Sequence, residues 1–251
     1  MNNCYFNFSS TVRLVDAFSF ILFGRVIFDF NRAEFDNRPL CIHRLIEDSV
    51  ISADNTYCQR APDIARSVTG RFSDLRRILR EDAESIFFND PAAHSVDEIM
   101  LCYPGFFAIF CYRIAHEIYT EGPYLLARFI SEYAHSMTGI DIHPGAQIGE
   151  RFSIDHGTGI VIGESAVIGK GVRIYQGVTI GAKDFPRLSD GSFDRSVKRH
   201  PTISDNCVLY ANSTVLGGDT VVGEGSVITA NAIVTSSVPA HTVVIYDKGR
   251  K

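Results

Sequence analysis

IDIHPGAQIGERFSIDHGTGIVIGESAVIGKGVRIYQGVTIG, residues 140–181, is the stretch that decides the fold. An aliphatic residue recurs in it every six positions, in two series that are offset by two residues near Gly159–Ile162. The first series is Ile142, Ile148, Ile154 and Ile160, and the second is Ile162, Ile168, Ile174 and Ile180. A helix repeats at about 3.6 residues and a strand at about two, so neither explains this spacing. A step of six predicts short strands joined by tight turns, three to a triangular coil.

The six-residue step continues beyond a polar interruption at residues 181–202. Two further series follow: Ile203, Leu209 and Val215, then Val222, Ile228 and Val234. These two series are offset by one residue near Gly217-Gly218. Small or β-branched residues stand two positions before many of these, among them Ala146, Thr158, Ala166, Cys207 and Ser213. Residues 139–240 are therefore expected to form a parallel β-helix, from which residues 181–202 are extruded as a loop.

The residues before this region follow a helical period. Apolar side chains recur at steps of three and four within residues 60–137, in the sets Val68, Phe72, Leu75, Leu79, Ala83, Ile86; Phe107, Phe110, Cys111, Ile114, Ile118; and Leu126, Phe129, Ile130, Tyr133, Met137. The expected class is α+β. Its parts are a mainly helical domain at 1–138, with 1–59 left open, a β-helix domain at 139–240 and a short tail at 241–251.

The composition excludes several classes of protein. Of the 251 residues 45% are hydrophobic and 21% charged, which allows a buried core and argues against disorder. A net charge of -5 without a long basic run argues against nucleic acid as a partner. The six cysteines lack paired spacing, which indicates reduced thiols and a cytoplasmic protein. The apolar segment 12–30 is a poor membrane span because charges interrupt it, at Arg13, Asp16, Arg25 and Asp29.

The sequence resembles the serine acetyltransferase family of hexapeptide-repeat acyltransferases over about residues 90–239. The resemblance rests on Asn89-Asp90-Pro91-Ala92, Tyr112-Arg113-Ile114-Ala115-His116, Gly139-Ile140-Asp141-Ile142-His143-Pro144, Ile154-Asp155-His156-Gly157-Thr158-Gly159, Val161-Ile162-Gly163-Glu164, Gln176-Gly177-Val178-Thr179-Ile180-Gly181 and Arg199-His200-Pro201. It implies a left-handed β-helix, a homotrimer or a dimer of trimers paired through the helical domains, and active sites between neighbouring subunits.

The resemblance also implies a reaction. Acetyl-CoA, the co-substrate, would give its acetyl group to the hydroxyl of L-serine, producing O-acetyl-L-serine and CoA in cysteine biosynthesis. A serine hydroxyl is a poor nucleophile at neutral pH, so a base must take its proton as the bond forms. By resemblance His156 is that base, and Asp141 orients its imidazole and stabilises the cationic form. No metal is expected.

Further residues match family positions that hold the two substrates. Asp90 and Asp155 match the carboxylates near the ammonium group of serine, and Arg199 and His200 match the groups that face its carboxylate. Glu164 is placed only as a neighbour of the site. The positions matching the CoA groove, where small residues permit close approach of pantetheine, are Gly181, Ala182, Ala211 and Ala230.

Each of these residues also has an ordinary structural interpretation. Asp90 precedes Pro91 and fits a helix N-cap, whereas Asp141 and Asp155 fall at turns, where Asp often bonds the local backbone. His156 alone would be read as a surface histidine. Their joint occurrence with Arg199-His200 favours a site over these separate explanations.

Two departures from the family pattern lead to further expectations. The extruded loop is long and carries Phe185-Pro186 and Phe193 in place of a short glycine-rich loop, which would alter substrate gating or CoA contacts. The tail, Asp247-Lys248-Gly249-Arg250-Lys251, lacks the terminal isoleucine with which relatives dock into O-acetylserine sulfhydrylase. We expect no stable complex with that enzyme, and co-elution of the two at micromolar concentration would refute this.

Three other functions stay open at this point. A related acyltransferase could act on homoserine, a sugar or an antibiotic hydroxyl. A γ-type carbonic anhydrase would need three histidines converging on zinc, and His143, His156 and His200 lack the spacing of that family. A non-catalytic scaffold would show no turnover.

Overall fold

The computed structural model describes residues 8–24 and 42–246. Before residue 140 these residues are mainly helical, with a 3-10 turn at Asn55–Tyr57 and seven α-helices: α1 Phe8–Phe23, α2 Ile42–Ala53, α3 Ala61–Gly70, α4 Phe72–Asn89, α5 Val96–Cys102, α6 Pro104–Glu121 and α7 Tyr124–Thr138. Part of the open segment 1–59, the apolar residues beyond 24, two of the cysteines and the tail from 247 lie outside the described residues.

Fourteen short strands follow within the described range. They are β1 Asp141–Ile142, β2 Gln147–Ile148, β3 Ser153–Asp155, β4 Val161–Ile162, β5 Val167–Ile168, β6 Arg173–Tyr175, β7 Thr179–Gly181, β8 Thr202–Ile203, β9 Val208–Leu209, β10 Thr214–Leu216, β11 Val221–Val222, β12 Val227–Ile228, β13 Ile233–Val234 and β14 Val243–Val244. All pair in parallel, in three sheets. Sheet A is β1-β4-β7-β10-β13, sheet B is β2-β5-β8-β11, and sheet C is β3-β6-β9-β12-β14.

Each coil of the solenoid takes one strand from each sheet in turn. The chain runs from sheet A to B to C and then rises by one coil, so strands three apart in sequence are neighbours. In the last coil a single bridge between Val222 and Val238 takes the place of a strand in sheet B, so β14 is the neighbour of β12. The fold class expected from the sequence, a helical region followed by a parallel β-helix, is confirmed, and the pattern is consistent with the left-handed hand of the family. The turns from sheet A to sheet B are called AB corners below, and those from sheet C to sheet A are called CA corners.

The six-residue series forms the interior of the solenoid. Ile142, Ile162 and Ile180 are direct neighbours in sheet A, and all are at most 4% exposed. The other aliphatic members of the four series are buried in the same way. Each fully buried aliphatic side chain contributes roughly 1.5–3 kcal/mol, so this column is the main source of stability in the solenoid.

The first shift in the repeat is a widened CA corner. Residues 156–160 contain two residues more than the CA corners above them, because β3 pairs with β6 at an offset of 20 and β4 with β7 at an offset of 18. Thr158 was expected to fit the crowded corner, and this was wrong, since it lies exposed in the widened turn. Ile160, fully buried, takes the inward corner position instead.

The second shift is at the AB corner of the fourth coil, one coil above the extruded loop. Gly217 there has φ +104, and a Cβ on Gly218 would lie 1.9 Å from the carbonyl oxygen of Lys198. The inserted residue therefore lets the returning end of the loop approach the backbone of the next coil. Gly181 and Thr202 belong to strands, so the loop itself is slightly shorter than expected, residues 182–201.

The extruded loop has a local structure of its own. An antiparallel bridge joins Arg187 to Phe193, and the rings of Phe185 and Phe193 meet edge to face at 6.0 Å. Asp190 and Asp194 each accept a hydrogen bond from the backbone of a serine two residues on. These turns fold the loop back on itself, and both phenylalanines stay at least half exposed.

A buried ion pair joins the helices to the first coil. Arg113 of α6 donates to both carboxylate oxygens of Asp82 of α4, at 3.0 and 3.2 Å. The same guanidinium donates to the carbonyl oxygens of Ile148 and Gly149, and Asp82 accepts from the backbone N–H of Phe152 at 2.9 Å. Because the Asp82 carboxylate is fully buried, all these hydrogen-bond partners are needed for the ion pair to stabilise the contact between the helices and the first coil.

Within residues 8–24 and 42–246, no single helix has both the length and the hydropathy to cross a membrane. The pair α5 and α6, bent by 76°, passes on length and composition alone, and most of α6 is buried in the core.

Candidate functional site

His156 stands at the widened CA corner. Its backbone is left-handed, with φ 59, and Gly157 and Gly159 in the same turn are also left-handed. The CA corners above carry one such residue each, for example Asn212 and Asn231. The two inserted residues thus lift His156 off the solenoid, and its side chain is 77% exposed. Residues held in this backbone region cost free energy, which favours a functional explanation for the turn.

Asp155 is the carboxylate beside this histidine. Its Oδ1 lies 3.6 Å from His156 Nε2, and its Oδ2 accepts from Arg173 Nη2 at 2.9 Å. The guanidinium of Arg173 lies over the ring of Tyr175, 4.7 Å from the ring centre, and that ring stacks on Tyr210 at 4.9 Å. Asp155 is therefore held by a cation on one side while its other oxygen faces the imidazole.

Asp90 is near by, in a different role from the N-cap that its sequence fits. It follows α4 as its C-cap, and Oδ1 accepts from the backbone N–H of Ala92 at 2.8 Å. Oδ2 accepts from the hydroxyl of Tyr103 at 2.7 Å. The hydrogen bond from Tyr103 is the main reason that the pKa of Asp90 lies below its usual value, and it raises the pKa of Tyr103 to about 12.

The two predicted ammonium-binding carboxylates share one small pocket. Its lining residues are Ile86, Asn89, Asp90, Tyr103, Ser153, Ile154, Asp155 and Arg173. The structure thus brings Asp90 and Asp155 together beside His156. Arg173 was missed by the sequence analysis, although the pairing of β3 with β6 necessarily puts it across from Ser153 and next to Asp155.

Asp141 lies apart from His156 in the single chain. No ion pair or hydrogen bond joins the two among the described residues. The carboxylate instead lies with Glu132 and His135 of α7, with one ligand atom of each within 4.8 Å of the others. These three could hold a metal ion by distance, but exposed acidic groups are common without one. The expected pairing of Asp141 with His156 stays a prediction.

Arg199 and His200 lie at AB corners, where the extruded loop returns. The guanidinium of Arg199 forms an ion pair with Glu164, whose other oxygen accepts from the hydroxyl of Tyr119 at 3.0 Å. Although burial raises the pKa of Glu164, the hydrogen bonds from Arg199 and Tyr119 lower it overall. Glu164 is thus more than a neighbour, since it holds the cation expected to meet the serine carboxylate.

His200 is 8% exposed and packs flat against the backbone of the coil below. A Cβ on Gly163 would lie 2.0 Å from its Nε2 atom, so only glycine leaves room for the ring. Burial, with help from the charge of Arg199, lowers the pKa of His200 to about 4. Burial likewise lowers the pKa of His143, in the first coil, to about 4. Both are therefore neutral near pH 7.

The predicted site residues are divided between two edges of the solenoid. Asp155 and His156 lie at a CA corner, whereas Arg199 and His200 lie at AB corners. The side of the coil between the two edges is about six residues long, at most about 20 Å of extended chain.

The predicted CoA positions divide in the same way. Gly181 and Ala182 lie at the start of the loop, at an AB corner. Ala211 and Ala230 lie at successive CA corners, where the backbone N–H of Asn231 donates to the carbonyl oxygen of Ala211 at 2.9 Å.

Comparison with curated proteins finds close relatives with one activity in their names. The "Serine acetyltransferase, plasmid" of Synechococcus elongatus is 46% identical over 180 residues, 72% of this chain and 56% of that protein. The Bacillus subtilis serine acetyltransferase is 48% identical over 141 residues, 56% of this chain and 61% of the relative. That of Bacillus pumilus is 44% identical over 174 residues, 69% and 76% of the two chains. The chain spans less than two thirds of the first two relatives. No protein-family model matches it.

Solved structures agree with the sequence relatives. Serine acetyltransferase isoform 3 from Entamoeba histolytica, in complex with cysteine, has a TM-score of 0.79 at 34% identity, over 95% of this chain and 82% of that one. Serine acetyltransferase 1 of the same organism, in complex with L-cysteine, has a TM-score of 0.76 at 38% identity, over 82% and 74%. The Neisseria gonorrhoeae enzyme in complex with serine has a TM-score of 0.65 at 28% identity, over 82% of each chain.

Proposed function

Because the chain belongs to the serine acetyltransferase family, we propose that it transfers the acetyl group of acetyl-CoA to the hydroxyl of L-serine. The products are O-acetyl-L-serine and CoA. The observation that carries the proposal is the exposed His156 beside Asp155, at a pocket that Asp90 also lines. A base next to two carboxylates suits an acceptor that has both a hydroxyl and an ammonium group. The β-helix, which extends past the expected boundary at 240 through β14, forms the acetyltransferase domain.

His156 acts as the general base. As the serine oxygen attacks the thioester carbonyl carbon, the imidazole takes the hydroxyl proton. The tetrahedral intermediate then collapses, the C–S bond breaks, and the proton passes to the departing thiolate of CoA. Asp155, 3.6 Å away, stabilises the imidazolium in between. Asp141 is proposed to act on the same imidazole from its own position or from a second copy.

The acceptor is held at both charged ends. Asp90 and Asp155 meet the ammonium group, and Arg173 offsets one of their two charges. Arg199 and His200 of a neighbouring copy meet the carboxylate, and the substrate carboxylate competes with Glu164 for Arg199. Arg199 and His200 are called the carboxylate clamp below. Because this clamp and the two carboxylates that meet the ammonium group lie on different edges, each site is complete only between two copies.

This division of the site implies a ring. Each copy offers one CA edge and one AB edge, and repeated contacts between unlike edges form a closed ring when the rotation between copies divides a full turn. Three is the number of copies that the family resemblance implies. We propose a homotrimer, or a dimer of trimers joined through the helices, with acetyl-CoA lying between copies along Gly181, Ala182, Ala211 and Ala230.

The product O-acetyl-L-serine places the proposed reaction in cysteine biosynthesis, and the unpaired spacing of the cysteines supports a cytoplasmic protein. Cysteine shares the ammonium and carboxylate groups of serine, and it is bound in the two Entamoeba structures, so it is proposed to compete for this pocket. No metal, nucleic acid or membrane is part of the proposal.

The acceptor is tested by measuring thiol release from acetyl-CoA with a panel of hydroxyl compounds. L-serine is expected to give the highest kcat/KM. D-serine should be inactive because its inverted configuration misplaces the hydroxyl when both charged groups are bound, and a sugar alcohol should be inactive because it has neither charged group. L-homoserine, one methylene longer, is the demanding comparison, and we expect it to be about tenfold to 200-fold poorer. A higher kcat/KM for L-homoserine or for a sugar than for L-serine would show that serine is not the substrate.

Activity restored by mixing two inactive variants is expected if the site is shared. His156→Asn removes the base and Arg199→Gln removes the carboxylate clamp, and each alone is expected to have little activity. In a mixed trimer of either composition, one of the three contacts joins an intact CA edge to an intact AB edge, so about a third of the sites are active. Co-expression with two different tags, followed by tandem purification, isolates the mixed ring. Activity no higher than the mean of the two parents would place the whole site in one chain.

A further inference from the structure

Ser165 joins the end of the extruded loop to the second coil. It stands in the AB corner between β4 and β5, directly after Glu164. Its Oγ accepts from the backbone N–H groups of Arg199 and His200, at 3.0 and 3.1 Å. The same Oγ lies 2.8 Å from Nδ1 of His200. One hydroxyl thus contacts both residues of the carboxylate clamp.

The donors and acceptors at this hydroxyl fix the proton positions. The backbone N–H of Ser165 donates to His200 Nδ1 at 3.1 Å, and a backbone N–H can only donate. Nδ1 of His200 must therefore be an acceptor, without a proton. The hydroxyl proton of Ser165 then points at Nδ1, while its two lone pairs accept from the two backbone groups. All three of its hydrogen-bonding positions are used, and the single ring proton of His200 is on Nε2.

We propose that Ser165 is a positioning residue that holds His200 as a neutral Nε2–H hydrogen-bond donor for the carboxylate of the acceptor amino acid. The inference rests on the proposed function, because it assumes that a carboxylate binds at this corner. It extends that function by giving the two residues of the carboxylate clamp different roles. Arg199 supplies the positive charge, and His200 supplies a directed donor without a charge.

The surroundings of His200 support a neutral ring. The charged groups that face it are Arg199, Glu164 and Lys198, and the last of these donates from Nζ to the carbonyl oxygen of His200. Two cations and one anion around a buried imidazole disfavour a further positive charge. A flipped ring would put a carbon where Nδ1 accepts from the backbone N–H and the hydroxyl of Ser165, so the flip would lose both hydrogen bonds. The Nε2–H bond of His200 therefore keeps a fixed orientation.

A hydroxyl at position 165 is the testable requirement. Ser165→Ala removes the acceptor for two backbone N–H groups and the donor to Nδ1, whereas Ser165→Thr keeps both. We expect KM for L-serine to rise about tenfold or more in Ser165→Ala, with KM for acetyl-CoA and kcat changed less than threefold. Ser165→Thr should stay within threefold of wild type in all three values. Equal KM for L-serine in wild type and Ser165→Ala would overturn the proposal.

The tautomer is read directly from the ring nitrogens, without any turnover. In ¹⁵N-histidine-labelled protein at pH 7, with His200→Gln used for assignment, we expect an unprotonated Nδ1 and a protonated Nε2. A cationic ring, or a proton on Nδ1, would overturn the proposal even if Ser165→Ala is defective or fails to fold. Failure of the proposed function is recognised separately, since wild-type protein would then not acetylate serine at all.

Discussion

His156→Asn is expected to lower serine-dependent release of CoA by roughly 10²- to 10⁴-fold, the range lost when a general base is removed. The substitution removes the imidazole that takes the hydroxyl proton, and it keeps the backbone, because Asn accepts a left-handed conformation better than most residues. KM for both substrates should change little. The measurement is the steady-state rate with L-serine and acetyl-CoA, with unfolding followed in parallel.

His241 offers a matched control for this substitution. It is also an exposed histidine with a left-handed backbone, φ 55, at a turn of the solenoid. His241→Asn should leave the rate within a factor of two of wild type, because no predicted site residue lies beside it. A His156→Asn variant that retains more than a tenth of wild-type turnover would remove His156 from the role of base.

Arg113→Met is expected to lower the free energy of unfolding by about 3 to 5 kcal/mol. The guanidinium is buried, and its removal leaves the fully buried carboxylate of Asp82 without its countercharge. It also leaves the carbonyl oxygens of Ile148 and Gly149 without donors. Because the pair joins α4 and α6 to the first coil, the loss should appear in the main unfolding transition. Urea unfolding followed by circular dichroism measures it.

Arg77→Met is the matched control. Arg77 is on the same helix as Asp82, and it also pairs with an acidic residue of the solenoid, Glu150, but its side chain is 50% exposed. We expect a loss below about 1 kcal/mol, as for other exposed pairs. The double variant Arg113→Met with Asp82→Leu should recover part of the stability, since no charge then stays buried alone. Equal effects of Arg113→Met and Arg77→Met would show that burial does not decide the strength of this pair.

The solenoid could be predicted from the sequence because its restraint is periodic. Only an inward aliphatic residue fits each side of the coil, so a six-residue step is imposed on the sequence, and even the two shifts in the repeat were visible. The spacing alone does not show what these shifts do in the structure. The shift near Gly159 is the widened turn that exposes His156. A change of phase locates an insertion to within a few residues, and pairing in three dimensions decides which residues are lifted out.

The site was predicted less completely, because contacts between coils depend on offsets that a single sequence does not display. Arg173 meets Asp155 only because β3 and β6 pair at an offset of 20. Ser165 meets His200 across the extruded loop, whose length sets no fixed register. Asp90 fits an N-cap before a proline, yet it is the C-cap of α4, an end that Pro91 also favours because the residue before a proline avoids the helical region. The resemblance identified the residue types of the site, and the fold showed that they lie on two edges.

The most direct test of the central claim is to identify the acetylated product. The protein is incubated with L-serine and acetyl-CoA carrying ¹³C in the acetyl carbonyl, and the products are followed by NMR. The account predicts that an ester carbonyl signal of O-acetyl-L-serine appears as the thioester signal decays, at equal rates, and only when L-serine is present. Decay of the thioester without this ester, in folded protein that binds acetyl-CoA, would contradict the assignment of serine as the acceptor.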